Sequence, residues 1–288
     1  MSRKIRRIVD THVHPGMNPQ HRVRLVIEAG YWAEFDPFLM LAEDWFVPGT
    51  FGDHPHRGFE TVTVVLEGEI EHRDNHGGHG VLKPGDAQWM TAGRGVVHTE
   101  EAGPNGAHSL QLWLNLPRAL KMTEPRYQDL RGSQMPVIHD DGERTSRPLM
   151  RGDSRADARP SGRYVRSPLL RVFSGTVHGV TGPALNHVPV TMVEIHLAAG
   201  ATARIDLPPT YNAFTYVISG SLDTAAETQV IWFEREAGDV TLTVRTPTHA
   251  ILFAGEPIGE PVVQRGPFVM NTMNEIVQAY ADYQAGRF

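Results

Sequence analysis

A chain of 288 residues that is 40% hydrophobic can bury a substantial core, and its formal net charge of -6 lacks the basic excess that general nucleic-acid binding needs. It contains no cysteine, which excludes disulfide frameworks, thiolate metal sites and cysteine nucleophiles. The apolar runs are short and end in Gly, Pro or charge, and the opening "MSRKIRRIVDTHVH" has no signal-peptide core, so a soluble cytoplasmic protein without membrane segments is expected.

In chain order, "RVRLVIEAG", "ETVTVVLEGEIEHRD", "DAQWMTAG" and "HSLQLWLNL" carry alternating or β-branched patterns between Gly, Pro and Asp turns, and they predict a first all-β module. Few large apolar residues follow from Lys121 to Pro168, which reads as a linker or extended loop. Strand patterns resume with "LLRVFSGTV", "VTMVEIHLAAG", "NAFTYVISGSL", "QVIWFE", "DVTLTVRT" and "HAILFAG". At the end, Thr272 and Glu275 have capping-box spacing, Ile276, Tyr280 and Tyr283 form one stripe, and Gly286 suits a helix stop. One C-terminal helix is predicted there.

The two β modules resemble each other. "VVLEGEI" is answered by "YVISGSL" and "KPGDAQWM" by "EAGDVTLT", a repeat that suggests duplication. Aligned on these glycines, Asp206 and Pro208 fall near the places of His54 and His56, and Ile251 and Phe253 opposite His98 and Glu100. The second module is therefore expected to lack metal ligands, with His187, His196 and His249 in structural roles.

The first module concentrates the chemistry. His54 and His56 lie two apart just before a strand, as do His98 and Glu100 after one, and residues two apart on an extended chain share a face. Three imidazoles and a carboxylate suit a divalent first-row metal and leave positions open for substrate or oxygen. Glu60 shares the parity of the first pair and reads as a supporting carboxylate or an exposed strand residue. His12 and His14 in "DTHVHPG" would fit a metallohydrolase barrel, but strand after strand argues against that fold, and they are expected at the surface.

The stretches "DHPHRGFETVTVVLEGEIEHRD", "KPGDAQWMTAGRGVVHTE", "NLPRALKMTEPRYQDL" and "AGEPIGEPVVQRGPFVMNT" closely resemble the pirins, a branch of the cupin superfamily. That resemblance implies an all-β bicupin with two face-to-face cupin modules and a C-terminal helix: a metal-binding cupin over 1–130, a linker over 131–168 and a metal-free cupin over 169–288. It implies one mononuclear metal, expected to be iron with other first-row metals compatible, held by His54, His56, His98 and Glu100. The segment from Asp140 to Arg166, rich in arginine, looks longer than the usual pirin connection.

For function, the resemblance implies a quercetin 2,3-dioxygenase-like activity, in which a flavonol meets dioxygen at the metal and the ring opens with loss of carbon monoxide. Glu100 would act as the catalytic base, and Phe51, Phe59, Trp89, Met90 and Trp113 are candidate walls. The alternative is an iron-based redox sensor that docks a protein partner, and a metal-storing or inactive cupin is a third reading.

Overall fold

The computed structural model describes residues 1–139, 144–145 and 169–288, and most of the expected Asp140–Arg166 loop lies outside them. The architecture is all-β with two cupin-type units, and the Met273–Gln284 helix closes the chain. No helix among the described residues is long and apolar enough to cross a membrane.

One unit comprises residues 12–131, 186–188 and 257–288. Its nine-stranded antiparallel sheet is built around Phe59–Asp74 and Val96–Asn115, which pair from Phe59 with Asn115 to Asp74 with His98. Register shifts near Val65 and Gly68 let these long strands bend. Gly68 is required there: it sits at φ +76°, and a Cβ would lie 2.2 Å from the Gly106 carbonyl oxygen. Phe46, Val65, Ile70, Leu82 and Ala102 form one buried cluster of this sheet.

The terminal helix belongs to this unit. The Thr272 side chain accepts from the Glu275 N–H while the Glu275 carboxylate accepts from the Thr272 N–H, the reciprocal cap expected from their spacing. Ile276 and Ala279 pack on Phe268 and Met270. Tyr280 and Tyr283 flank Phe268 from a more exposed position, and Gly286 follows the helix at φ +66°.

The other unit comprises residues 1–11, 132–185 and 189–256, described where the chain is described. Its eight-stranded sheet runs in the order Ile5–Asp10, Gln229–Phe233, Asn212–Ser219, Thr248–Gly255, Val190–Leu197, Leu169–Ser174, Val137–His139, Arg144–Thr145. Val172, Val193, Ile195, Val217, Ile231 and Leu252 face its core.

Three features differ from the boundaries expected at 130 and 169. Strand Ile5–Asp10 pairs with Gln229–Phe233 in the second cupin's sheet, and residues 257–288 belong with the first cupin. Val137–His139, expected in the linker, is a strand paired with Leu169–Ser174, and Val137 is buried there. Edge pairing uses main-chain groups, so sequence composition does not reveal which sheet a terminal strand joins.

The repeat is visible in the backbone, since Gly68 and Gly220 lie at φ +76° and +87°. The sheet register corrects the earlier alignment in one respect. Ile251 pairs with Glu194 as Leu110 pairs with Glu43, so Ile251 corresponds to Leu110 rather than to His98.

Candidate metal centre

Strand Phe51–His56 runs antiparallel to Val96–Asn115, with His54 directly opposite His98. His98 shares a strand face with Val96 and Ala102, both buried. His56, two residues from His54, completes a group of three imidazoles whose ligand atoms all lie within 4.8 Å of one another. The ring centroids are 4.2 Å apart for His54 and His98, 4.8 Å for His54 and His56, and 5.0 Å for His56 and His98.

In each ring Nδ1 faces outward. His54 Nδ1 lies 2.8 Å from the Gly52 carbonyl oxygen, and His56 Nδ1 is 3.4 Å from that of Pro267. The Nε2 atoms of His56 and His98 are buried and make no hydrogen bond among the described residues. Burial pushes the His56 imidazole down to about 3, helped by the neighbouring His54, and burial likewise holds His98 well below its ordinary value. Both rings are therefore neutral at pH 7, with inward lone pairs, which is the form that binds a metal.

These depressed values have a consequence for stability. Between about 3 and 6.5 the unfolded chain takes up a proton on His56 that the folded chain refuses, so the unfolded state binds more protons. The metal-free protein is expected to lose stability as pH falls through this window, by on the order of 1–2 kcal/mol by about pH 5. Urea midpoints measured with a chelator present check this, and His56→Leu should flatten the pH dependence.

Behind His98 stands His72, which sequence reasoning missed. His98 Nδ1 lies 3.4 Å from His72 Nδ1, which also faces Gln88 Nε2 at 2.9 Å, while His72 Nε2 faces Asp74 Oδ2 at 3.1 Å. If Asp74 accepts from His72 Nε2–H, His72 Nδ1 is an acceptor for Gln88 and His98. His98 then carries its proton on Nδ1 and offers Nε2 inward. Tyr127 stacks on His72 at 4.5 Å, fixing the ring. The H-x-D spacing of His72 and Asp74 was the available signal.

Glu100 is 4% exposed and does not join the group of three imidazoles. Its Oε1 accepts from Thr63 Oγ1 at 2.8 Å and its Oε2 from Gln111 Nε2 at 2.6 Å, while Gln111 Oε1 accepts from Trp113 Nε1. Glu60 is fully buried, accepts from Thr91 Oγ1 at 2.7 Å, and is pushed upward by burial. Of the candidate walls, Phe59 and Trp113 contact the His56 ring at 5.0 and 5.2 Å. Phe51 packs on Phe46 and His21, and Trp89 and Met90 are core residues. His12 and His14 are exposed, as expected.

The family model of pirin matches residues 18–114, and that of the pirin C-terminal cupin domain matches residues 192–288. A pirin-like protein of Solanum lycopersicum is 40% identical over 262 residues, covering 88% of this chain and 81% of that relative. The chain belongs to the pirin family. A crystal structure from Geobacillus kaustophilus is similar to this pirin at 44% identity and a TM-score of 0.79, covering 91% of this chain and all of the other. A quercetin 2,3-dioxygenase from Acinetobacter baumannii is similar at 29% identity and a TM-score of 0.83, covering 100% and 99% of the two chains.

The unpartnered Nε2 atoms of two neutral buried rings, with a third imidazole beside them, fit a divalent first-row metal. His54, only half-buried, leaves an open side.

Proposed function

We propose that this pirin is a metal-dependent dioxygenase that opens the ring of a flavonol such as quercetin. The observation that carries the reading is the pair of orphaned, inward-facing Nε2 atoms of His56 and His98 beside the half-buried His54. The similar Acinetobacter baumannii quercetin 2,3-dioxygenase, matched over the full chain, supports the reaction class.

His54, His56 and His98 would hold the metal, and Glu100 would be a fourth ligand or a displaced one. Bound iron, or another divalent first-row metal, would supply Lewis acidity toward a flavonol oxygen and a redox route to dioxygen. Phe59 and Trp113 give the planar substrate an apolar surface beside His56. Glu100 is the carboxylate two residues from His98 on the same strand face, and it would accept the flavonol hydroxyl proton on Oε2 by exchanging its Gln111 contact. Thr63 keeps hold of Oε1 throughout.

Glu100→Gln is expected to lower turnover about 100-fold or more while metal content falls far less, because an amide fills the space but cannot take the proton. Quercetin bleaching per bound metal, measured on each metal form, checks this. Equal rates at full occupancy would move the base elsewhere.

A second reading is that the metal serves as a redox sensor whose state alters a docking surface for a protein partner. It is favoured by the contact between His56 Nδ1 and the Pro267 carbonyl, which ties a ligand ring to the segment just before strand Phe268–Met270. Partner co-purification that follows metal oxidation state, without turnover, would support it.

A further inference from the structure

We propose that the second cupin unit carries a divalent-metal site of its own, built from Glu194, His196 and His249. His196 and His249 are expected from the sequence in structural roles, but the sheet brings both rings to Glu194. Glu194 and His196 lie two apart on strand Val190–Leu197, and His196 is directly opposite His249 on Thr248–Gly255. Their ligand atoms all lie within 4.8 Å of one another. All three sit on the face of the sheet away from Val193, Ile195, Ala250 and Leu252, which line the core.

The donor atoms converge on one carboxylate oxygen. His249 Nε2 is 2.9 Å and His196 Nε2 3.2 Å from Glu194 Oε1, and the two rings stack at 4.1 Å. Metal–nitrogen and metal–oxygen bonds of about 2.1 Å place neighbouring donors on the order of 3.0–3.4 Å apart, so the same spacing serves a hydrogen bond or coordination. Arg171 donates to Glu194 Oε2, which leaves Oε1 as a single charged donor. Glu194 is 4% exposed, against 39% for the His196 side chain and 22% for that of His249, so water and ions reach the imidazole side. Binding requires each ring to offer its Nε2 lone pair and so to carry its proton on Nδ1.

The first unit contains an internal control. There Arg24 donates to Glu43 and His108 Nε2 lies 2.8 Å from Glu43 Oε1, in the same register as Arg171, Glu194 and His249. Trp45, opposite His108, stacks on it at 4.6 Å and occupies the place of His196. The arginine, carboxylate and histidine are thus a repeated sheet feature, an ion pair and a histidine contact on one carboxylate. Only His196 converts the second copy into a site with two imidazole donors. Two nitrogens and one oxygen select a first-row ion such as zinc, cobalt or nickel rather than calcium or magnesium.

The test is a cobalt(II) titration of the full-length, metal-stripped protein, read by visible absorption and by elemental analysis after dialysis. His56→Ala/His98→Ala, which silences the first centre, is expected to bind about one equivalent, and adding His196→Trp should abolish it. Tryptophan keeps the stacking seen between Trp45 and His108 but offers no lone pair, so thermal stability should be retained. In the wild type the change is from about two equivalents to about one. If the first centre does not bind metal, the wild type would show one equivalent and His196→Trp none, so the two readings fail separately. Undiminished cobalt binding by His196→Trp, or no cobalt retained by the variant with the first centre silenced, would overturn the second site.

Discussion

His98→Ala is expected to remove nearly all metal from the first cupin's centre, and His56→Ala to do the same, whereas His12→Ala and His14→Ala leave it in place. His98 supplies one of the two buried, unpartnered Nε2 atoms and lies opposite His54 in register, so its loss takes away a ligand and leaves a void in its place. Removing a partner behind a ligand costs roughly 10–100-fold in affinity, and removing the ligand itself should exceed that. Elemental analysis in a His196→Trp background isolates this centre. Full stoichiometry in His98→Ala would rule out the site. The fold should survive, because each sheet buries its own core and does not depend on one ion.

Lys121→Met should be the most destabilising of the single substitutions considered, by about 3–5 kcal/mol. Lys121 is 1% exposed, and its Nζ donates to the Gly58 carbonyl at 2.9 Å, Asn115 Oδ1 at 2.8 Å and the Val269 carbonyl at 3.1 Å. Burial pushes its ammonium down to about 8, yet it remains charged at pH 7. Methionine matches the stem in length but supplies no donor, so three acceptors are left in a dry interior. The damage reaches the metal centre as well: Gly58 follows His56 by two residues, and Val269 lies two beyond Pro267, whose carbonyl faces His56. Urea unfolding gives the number, and a loss below about 1 kcal/mol would show that the three bonds contribute little.

What was legible in the sequence was what depends on local period. Alternation in "ETVTVVLEGEI" and "HSLQLWLNL" marked the two longest strands, and the two-residue spacing of His54 with His56 placed two rings on one face. The cap at Thr272 was readable because both partners lie within one helical turn. What was not legible depends on pairing between distant strands. His72 meets His98 only because Asp74 lies opposite His98, and His249 meets Glu194 only because it lies opposite His196. Glycine spacing aligned the turns of the two modules but misaligned the strands after them, so Ile251 was matched to His98 when its register counterpart is Leu110. Residues 5–10 gave no sign of which sheet they would join, since an edge strand is recruited through its main chain.

The central claim, that two buried imidazoles and the half-buried His54 hold a metal which turns a flavonol over with dioxygen, is tested most directly in one vessel. Iron-loaded wild type and iron-treated His98→Ala are given quercetin while dioxygen uptake, loss of quercetin absorbance and carbon monoxide release are followed together. The account predicts that all three proceed in equal proportion in the wild type and stop in His98→Ala. Iron-replete wild type that takes up no dioxygen with any of a panel of flavonols would contradict the dioxygenase reading and put the redox-sensor reading in its place.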